Sequence, residues 1–447
     1  MQLIYILLTF LISLYIICQP GIKESETLTG INMAIAAICS VALFSHPRRS
    51  YSLYKIFHLY FLFFFCIAPS IQYKNGVQLL MTVFYEPDYI LTSIYVLCSL
   101  LLFNFVYILQ YKSTSIKHNQ IDGNETTRHT IDSGTELKLI LLSFSIFLLV
   151  FYRNNFSILS MFFRGGEYVE RISLGRSLGL VITEFLRPMV MVLFLSTSVL
   201  RLRRKSTKWI LFILFVLTDF PTSMARFSAA AMYIPVVLWY VPFLRKKNVF
   251  IIVMVVGLLV IFPFLNNFRY FDSAKDLSIG FDFSQFSQLH FDSYSEFMRV
   301  LTEDIVTNGR QLLGVLFFWI PRSIWPNKPI GSGAYVAHEQ ELYFENISMP
   351  FIGEGYINFG IVGVVFFVVI VAFVTKKLDN WYWTKIVRQV RDINHIGYLL
   401  LIGLFLFIMR GDLLSSFAYS CGFLSSFFFV KNYVLKSTKK MNQSIAY

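Results

Sequence analysis

Long apolar runs separated by short polar loops constrain this chain more than any motif does. A bilayer core holds no water to satisfy backbone N–H and C=O groups, so a chain that enters it does so as helices or as a closed barrel. Roughly twenty apolar residues make one helical crossing, fewer where a helix end lies in a protein-lined cavity. Such runs cover residues 2–18, 28–44, 56–71, 89–109, 138–152, 178–200, 209–225, 227–244, 248–264, 358–374, 396–410 and 412–430. They predict an all-α, polytopic integral membrane protein of about twelve spans, with one membrane domain over residues 1–447. Composition agrees, at 56% hydrophobic and only 15% charged residues. A soluble chain of 447 residues would carry far more charge and would usually divide into several domains.

The net charge of +13 invites a nucleic-acid reading, but the basic residues crowd into alternate short loops. Arg48 and Arg49, Arg201, Arg203, Arg204 and Lys205, Arg245 to Lys247, and Lys376 with Lys377 all fall on one side. The positive-inside rule explains that bias without a nucleic acid, and it orients both termini to the cytoplasm. The same orientation puts the longest connection, residues 265–357, outside. The first run is built like the apolar part of a signal peptide. Gln19-Pro20 follows it with no small-residue cleavage pattern, so it reads as a retained span. The cysteines (Cys18, Cys39, Cys66, Cys98 and Cys421) lack metal-ligand spacing and are expected as free thiols. Residues 112–138 read as a flexible cytoplasmic loop, and Arg164-Gly165-Gly166-Glu167 as an external turn.

Arginines inside or at the mouth of apolar runs carry the functional signal. An unpaired guanidinium in such a place costs several kcal/mol, by an order-of-magnitude estimate. Arg187, Arg226 and Arg410 are of this kind. Arg187 has a possible partner in Glu184, three residues earlier on the same helix face, and Asp412 is within reach of Arg410 or a neighbouring helix. An arginine-rich vestibule on the outer side suits an anionic ligand such as a lipid-linked pyrophosphate.

The outer loop has structure of its own. A helix is expected from Tyr294 through Val306, capped by Ser293 or Ser295 and broken at Gly309. Residues 310–320 form an apolar run too short to span, closed by Pro321, which predicts a re-entrant or interfacial helix with Leu312 to Ile320 helical. Arg310 and Arg322 bracket that dip, and Lys328 sits at the tip of the turn-rich stretch that follows. Because the whole loop is net acidic, these positions matter more than any bulk basic character. The competing reading for Arg310 and Arg322 is anchorage to lipid headgroups by snorkelling.

At these residues the chain resembles the Wzy-type O-antigen and oligosaccharide repeat-unit polymerases. The resemblance rests on GRQLLGVLFFWIPRSIWPNKPIGSGAYVA, NISMPFIGEGYINFGIVG, SMARFSAAAMYIP and FFRGGEYVERISLGRS, covering mainly residues 160–176, 222–236 and 308–364. It implies a glycosyltransferase C-like membrane fold in the bacterial inner membrane, with a periplasmic active site. The implied donor is a glycan on undecaprenyl pyrophosphate and the acceptor a lipid-linked repeat unit. A separate chain-length-regulating co-polymerase is the implied partner. No metal or cofactor is expected, since HEXXH, Walker, CxxC and dinucleotide motifs are missing from the sequence. O-antigen ligation and flipping of lipid-linked glycans are the alternatives; for a flippase, paired internal repeats would be expected.

That chemistry assigns roles. Departure of the pyrophosphate concentrates negative charge, which preorganised guanidinium groups stabilise. Arginine forks match phosphate oxygens better than a lysine point charge. Arg226, Arg310 and Arg322 are therefore the expected diphosphate ligands, with Lys328 and Arg410 behind them. A general base for the acceptor hydroxyl is sought in Glu354 or His338, with His290 as a lesser alternative. Partnering of a nearby arginine, or simple solvation in the loop, is the plain alternative for each.

Overall fold

The computed structural model describes residues 2–45, 49–109, 131–163, 172, 175–224, 226–258, 286–386 and 393–444. Among these residues the chain is helical, and no strand occurs. Seven helices are long and apolar enough to cross a membrane. They are α2 (Glu26–Phe44), α3 (Leu53–Lys74), α4 (Glu86–Leu109), α5 (Ser133–Arg153), α7 (Leu178–Ser196), α14 (Phe351–Trp381) and α16 (Leu413–Ser444). Shorter apolar helices accompany them: α1 (Gln2–Ile17), α9 (Arg226–Tyr240) and α15 (Asn394–Arg410). The remaining helices are α6 (Ile158–Phe162), α8 (Lys205–Thr218), α10 (Val249–Val256), α11 (Ser293–Thr302), α12 (Arg310–Leu316) and α13 (Ser332–Glu339). Every apolar run of the sequence falls on one of these helices, but several are shorter than the run. Thus α8 stops at Thr218, before Asp219 and Pro221, because proline supplies no N–H to continue the ladder. The expected cytoplasmic loop over 112–138 and the Arg164–Glu167 turn lie largely or wholly outside the described residues, as does the end of the 248–264 run. All five cysteines are free thiols, as their spacing suggests.

The chain forms two compact units. One comprises residues 1–113, 242–379 and 405–417. Its centre is α3, buried from Leu53 through Tyr73 and packed by α2 and α11. A phenylalanine-rich face explains the burial: Phe57 stacks on Phe103 of α4 at 3.5 Å between ring centroids, and Phe65 meets Tyr294 and Phe297 of α11. In a lipid setting such rings stabilise the unit by close van der Waals packing rather than by leaving water. The polar start of α3 is closed by Asp379, whose carboxylate accepts from the Leu53 and Tyr54 N–H groups and from the Tyr107 hydroxyl.

The described part of the outer loop is folded into this unit. α11 begins at Ser293 and ends at Thr302, earlier than the expected Val306. The preceding Asp292 stands at the cap position, yet neither it nor Ser293 or Ser295 supplies a side-chain cap. α12 is helical only as far as Leu316, so the expected helix over Leu312 to Ile320 is cut short. Its seven residues rise only about 10 Å, at roughly 1.5 Å each, and do not cross a bilayer.

α14 is broken near its start. Phe359 and Gly360 leave helical geometry, Gly360 with φ 60° and ψ −144°, a region open essentially to glycine alone. The chain folds back so closely that a Cβ on Gly363 would lie 1.9 Å from the Gly355 carbonyl oxygen. Residues 351–358 thereby form a short, fully buried helix ahead of the longer apolar one.

The other unit comprises residues 114–241, 380–404 and 418–447. Within it α5, α7 and α8 pack mutually and α9 lies on α7. Gly422 of α16 meets the Glu184 backbone, and the Ser426 hydroxyl donates to the Phe185 carbonyl. The intrahelical Glu184–Arg187 pair is replaced by a longer-range one: Arg187 Nε donates to Asp219 at 3.0 Å.

The sharp turn in α14 generates a test. Gly360→Ala is expected to cost about 1–3 kcal/mol of stability, and Gly363→Ala more, because backbone must move. Gly30→Ala, in α2 with no atom near its Cβ position, should be neutral or stabilising by about 0.5–1 kcal/mol. Thermal unfolding in detergent reads all three; a silent Gly363→Ala would refute the close fold-back.

Candidate functional site

Helix α15 ends at Arg410 and α16 starts at Leu413, leaving Gly411 and Asp412 between them. A helix start has unpaired backbone N–H groups and a partial positive charge, both of which favour carboxylates. Two serve here. Asp412 accepts from the Ser415 N–H at 3.0 Å. Glu354, from the buried 351–358 turn, accepts from the Leu413 N–H at 2.7 Å through Oε1. Its Oε2 accepts from the Ser332 hydroxyl, also at 2.7 Å, tying in the first residue of α13. Glu354 is wholly buried. Both its oxygens are occupied, so its observed role is to join three segments.

Arg410 is held at the other end of the junction. Its guanidinium donates to the His290 and Leu289 carbonyls and forms a 3.0 Å ion pair with Asp292. Asp292 in turn accepts from the Ser348 N–H and hydroxyl at 2.9 and 2.7 Å, which is why it does not cap α11. A third tie comes from Asn358, the last residue of the buried turn. Its side chain accepts from the Leu312 N–H and its carbonyl from Gly309 N–H, both at 2.8 Å. Asp292, Ser332, Ser348 and Asn358 were not singled out in the sequence. None carries a local signal, because each partner is tens of residues away.

The remaining loop cations divide into spent and unspent. Arg322 donates to the Lys328 and Pro329 carbonyls at 2.7 and 3.3 Å. Lys328 Nζ binds the Phe318 and Ile320 carbonyls. After Leu316 the backbone tightens into three-residue turns, with the Phe318 N–H on the Val315 carbonyl and the Ile320 N–H on that of Phe317, and Lys328 takes carbonyls that a helix end would leave unpaired. Pro329 also packs on Gly314. Arg310, the first residue of α12, is exposed, and its guanidinium makes no hydrogen bond or ion pair among the described residues. Beside it burial holds the Tyr335 hydroxyl above its ordinary value, Glu339 adding to that rise and Arg310 opposing it. Leu313, Leu316, Phe317 and Trp319, further along the same segment, are also exposed.

His338 is exposed and lies 3.6 Å from the exposed Glu345, a solvated loop contact. Arg226 opens α9 in the other compact unit, and its side chain lies outside the described residues. Glu354, Arg410, Arg322 and Lys328 thus surround one framework in the first unit, Arg310 projects from it, and convergence with Arg226 is not described. A buried pair unnoticed in the sequence, Glu296 with Arg299 at 3.1 Å, lies in α11. Burial pushes the Glu296 carboxyl up to about 7, against the pull of Arg299. No group of acidic, histidine or cysteine side chains among the described residues could hold a metal ion.

No protein-family model, curated protein or solved structure matches the chain.

Removing one partner of a buried ion pair strands the other, at a cost of roughly 3–5 kcal/mol. Arg410→Ala should therefore lower folded yield and unfolding temperature sharply, and Arg310→Ala should leave both unchanged. Arg410→Ala combined with Asp292→Asn should cost less than the two changes added together, since they share one interaction. Full additivity in a thermal-unfolding cycle would show that the pair is not coupled.

Proposed function

We propose that this protein polymerises glycan repeat units carried on undecaprenyl pyrophosphate, in the bacterial inner membrane. The observation that carries this reading is Arg310: an exposed guanidinium without a partner among the described residues, on a segment whose Leu313, Leu316, Phe317 and Trp319 are also exposed. A lipid-linked pyrophosphate offers the complementary pair, an oxyanion for the fork and an apolar tail for the surface beside it. The resemblance of residues 308–364 to repeat-unit polymerases supports the same substrate class.

In the proposed reaction an acceptor sugar hydroxyl attacks the anomeric carbon of the donor chain. The bond from that carbon to the pyrophosphate oxygen breaks, and undecaprenyl pyrophosphate leaves with the electron pair. Arg310 stabilises the charge gathering on the leaving group. Arg322 and Lys328 fix the loop that carries it, through the carbonyls they bind, and Arg410 fixes the junction beneath. Glu354 is a positioning residue in this scheme. His338, exposed at the loop surface, is the candidate acceptor for the hydroxyl proton. The proposal includes about twelve spans in a glycosyltransferase C-like arrangement, cytoplasmic termini, a periplasmic loop over residues 265–357 and a chain-length-regulating partner.

A deletion strain tests the activity. A single repeat unit on the lipopolysaccharide core is expected; complete chains left on the lipid carrier would indicate a ligase, and absence of periplasmic units a flippase. Arg310→Ala should cut polymer formation by roughly a hundredfold, in the range seen for removing one oxyanion donor. Arg310→Lys should recover it in part, since charge returns without the fork. Polymer length on a gel measures this, alongside folded yield. Normal polymer from well-folded Arg310→Ala would remove the leaving-group role.

A further inference from the structure

The second compact unit contains a polar cavity that the proposed function does not use. It lies among the end of α5, the short α6, the middle of α7 and the end of α8, and is a small, partly open cleft of about 40 Å³. Arg153 and Arg187 line it, together with Ser160, Thr218 and Ser223. Its hydrogen-bonding groups are unevenly used. Arg187 spends Nε on Asp219 and Nη2 on the Thr218 carbonyl and the Ser223 hydroxyl, leaving Nη1 without a partner among the described residues. Arg153 spends Nη1 on the Gly179 carbonyl at 3.1 Å, leaving Nε and Nη2. The Ser160 and Thr218 hydroxyls are buried, and neither has a hydrogen-bond partner among the described residues; the same holds for Oδ2 of the adjacent Asp219.

A buried hydroxyl left unpaired costs about 1–3 kcal/mol, and two of them on residues that line one cavity with unspent guanidinium N–H groups point to an occupant rich in acceptors. Asp219 pairs with Arg187, and Glu184 lies within electrostatic reach of both arginines, so the unspent donors, rather than a surplus of positive charge, are what a ligand would meet. We infer that this cavity binds a phosphate-type oxyanion, with Arg153 and Arg187 as the charged donors and the Ser160 and Thr218 hydroxyls completing the cradle. The inference does not depend on Arg310 or on residues 308–364, which carry the polymerase reading. The same chemistry is offered by free inorganic phosphate or pyrophosphate and by the phosphate group of a lipid.

The test uses the full-length protein, delipidated in a maltoside detergent. Inorganic phosphate and pyrophosphate are titrated while thermal unfolding is followed, and retained phospholipid is measured separately by native mass spectrometry. The variants are Arg153→Gln, Ser160→Ala and Thr218→Val; Arg187 is left intact because its ion pair with Asp219 holds the unit together. A rise in unfolding temperature with either free anion, weakened roughly tenfold or more in apparent affinity by Arg153→Gln and Ser160→Ala, supports the site with a free oxyanion as ligand. A phospholipid retained by the wild type and lost from Arg153→Gln, with no response to free anions, supports it with a lipid phosphate as ligand. Ser160→Ala discriminates further: without ligand it removes an unpaired buried hydroxyl and should be neutral or stabilising, so weaker binding cannot be ascribed to misfolding. Folded variants that match the wild type in both measurements would overturn the inference and leave the cavity to water.

Discussion

Interrupting a helix in a water-poor interior exposes backbone groups that something else must satisfy. The gap at Gly411 and Asp412 does this to the first unit, and its outer segments are organised as the answer. Glu354 takes the Leu413 N–H, Asp412 takes the Ser415 N–H, and Arg410 reaches three acceptors at residues 289–292. Carboxylates at the start of α16 also match the positive end of its dipole. One break thus fixes the buried turn over 351–358, the first residue of α13 and the approach to α11.

The sharp corner at Gly360 follows from that demand. Glu354 can reach Leu413 only from a helix held apart from the long apolar one, yet packed tightly on it. The Gly355–Gly363 approach allows that packing, because neither position presents a side chain. Asn358 then closes the far end by accepting from Leu312 and Gly309. Sequence, local geometry and loop placement therefore depend on the same few small or polar residues.

Much of the fold was legible in the sequence because lipid imposes a simple rule. Long apolar runs must be helices, and each run is found on one. What the runs did not reveal was where each helix ends: α8 yields ahead of Pro221, and α12 gives way after Leu316 to three-residue turns ahead of Pro321. The arginines were legible as costly residues, but their partners were not. Local spacing suggested Glu184 for Arg187, whereas Asp219, far along the chain, is the observed partner. Arg410 similarly finds Asp292 rather than the nearby Asp412. Periodicity reports neighbours on one helix and carries no information about pairing between elements.

Cost alone therefore does not identify a ligand-binding arginine; unspent donors do. Arg410, Arg322 and Arg299 each direct their guanidinium to groups of the protein itself, so an incoming anion would have to compete with bonds already made. Arg310 has made none of these commitments among the described residues, and Arg153 has made only one. A phosphate reaching either position would gain charge-assisted hydrogen bonds without dismantling the framework. Structural and binding roles thus separate by hydrogen-bond occupancy, a property that appears only once the helices have brought distant residues together.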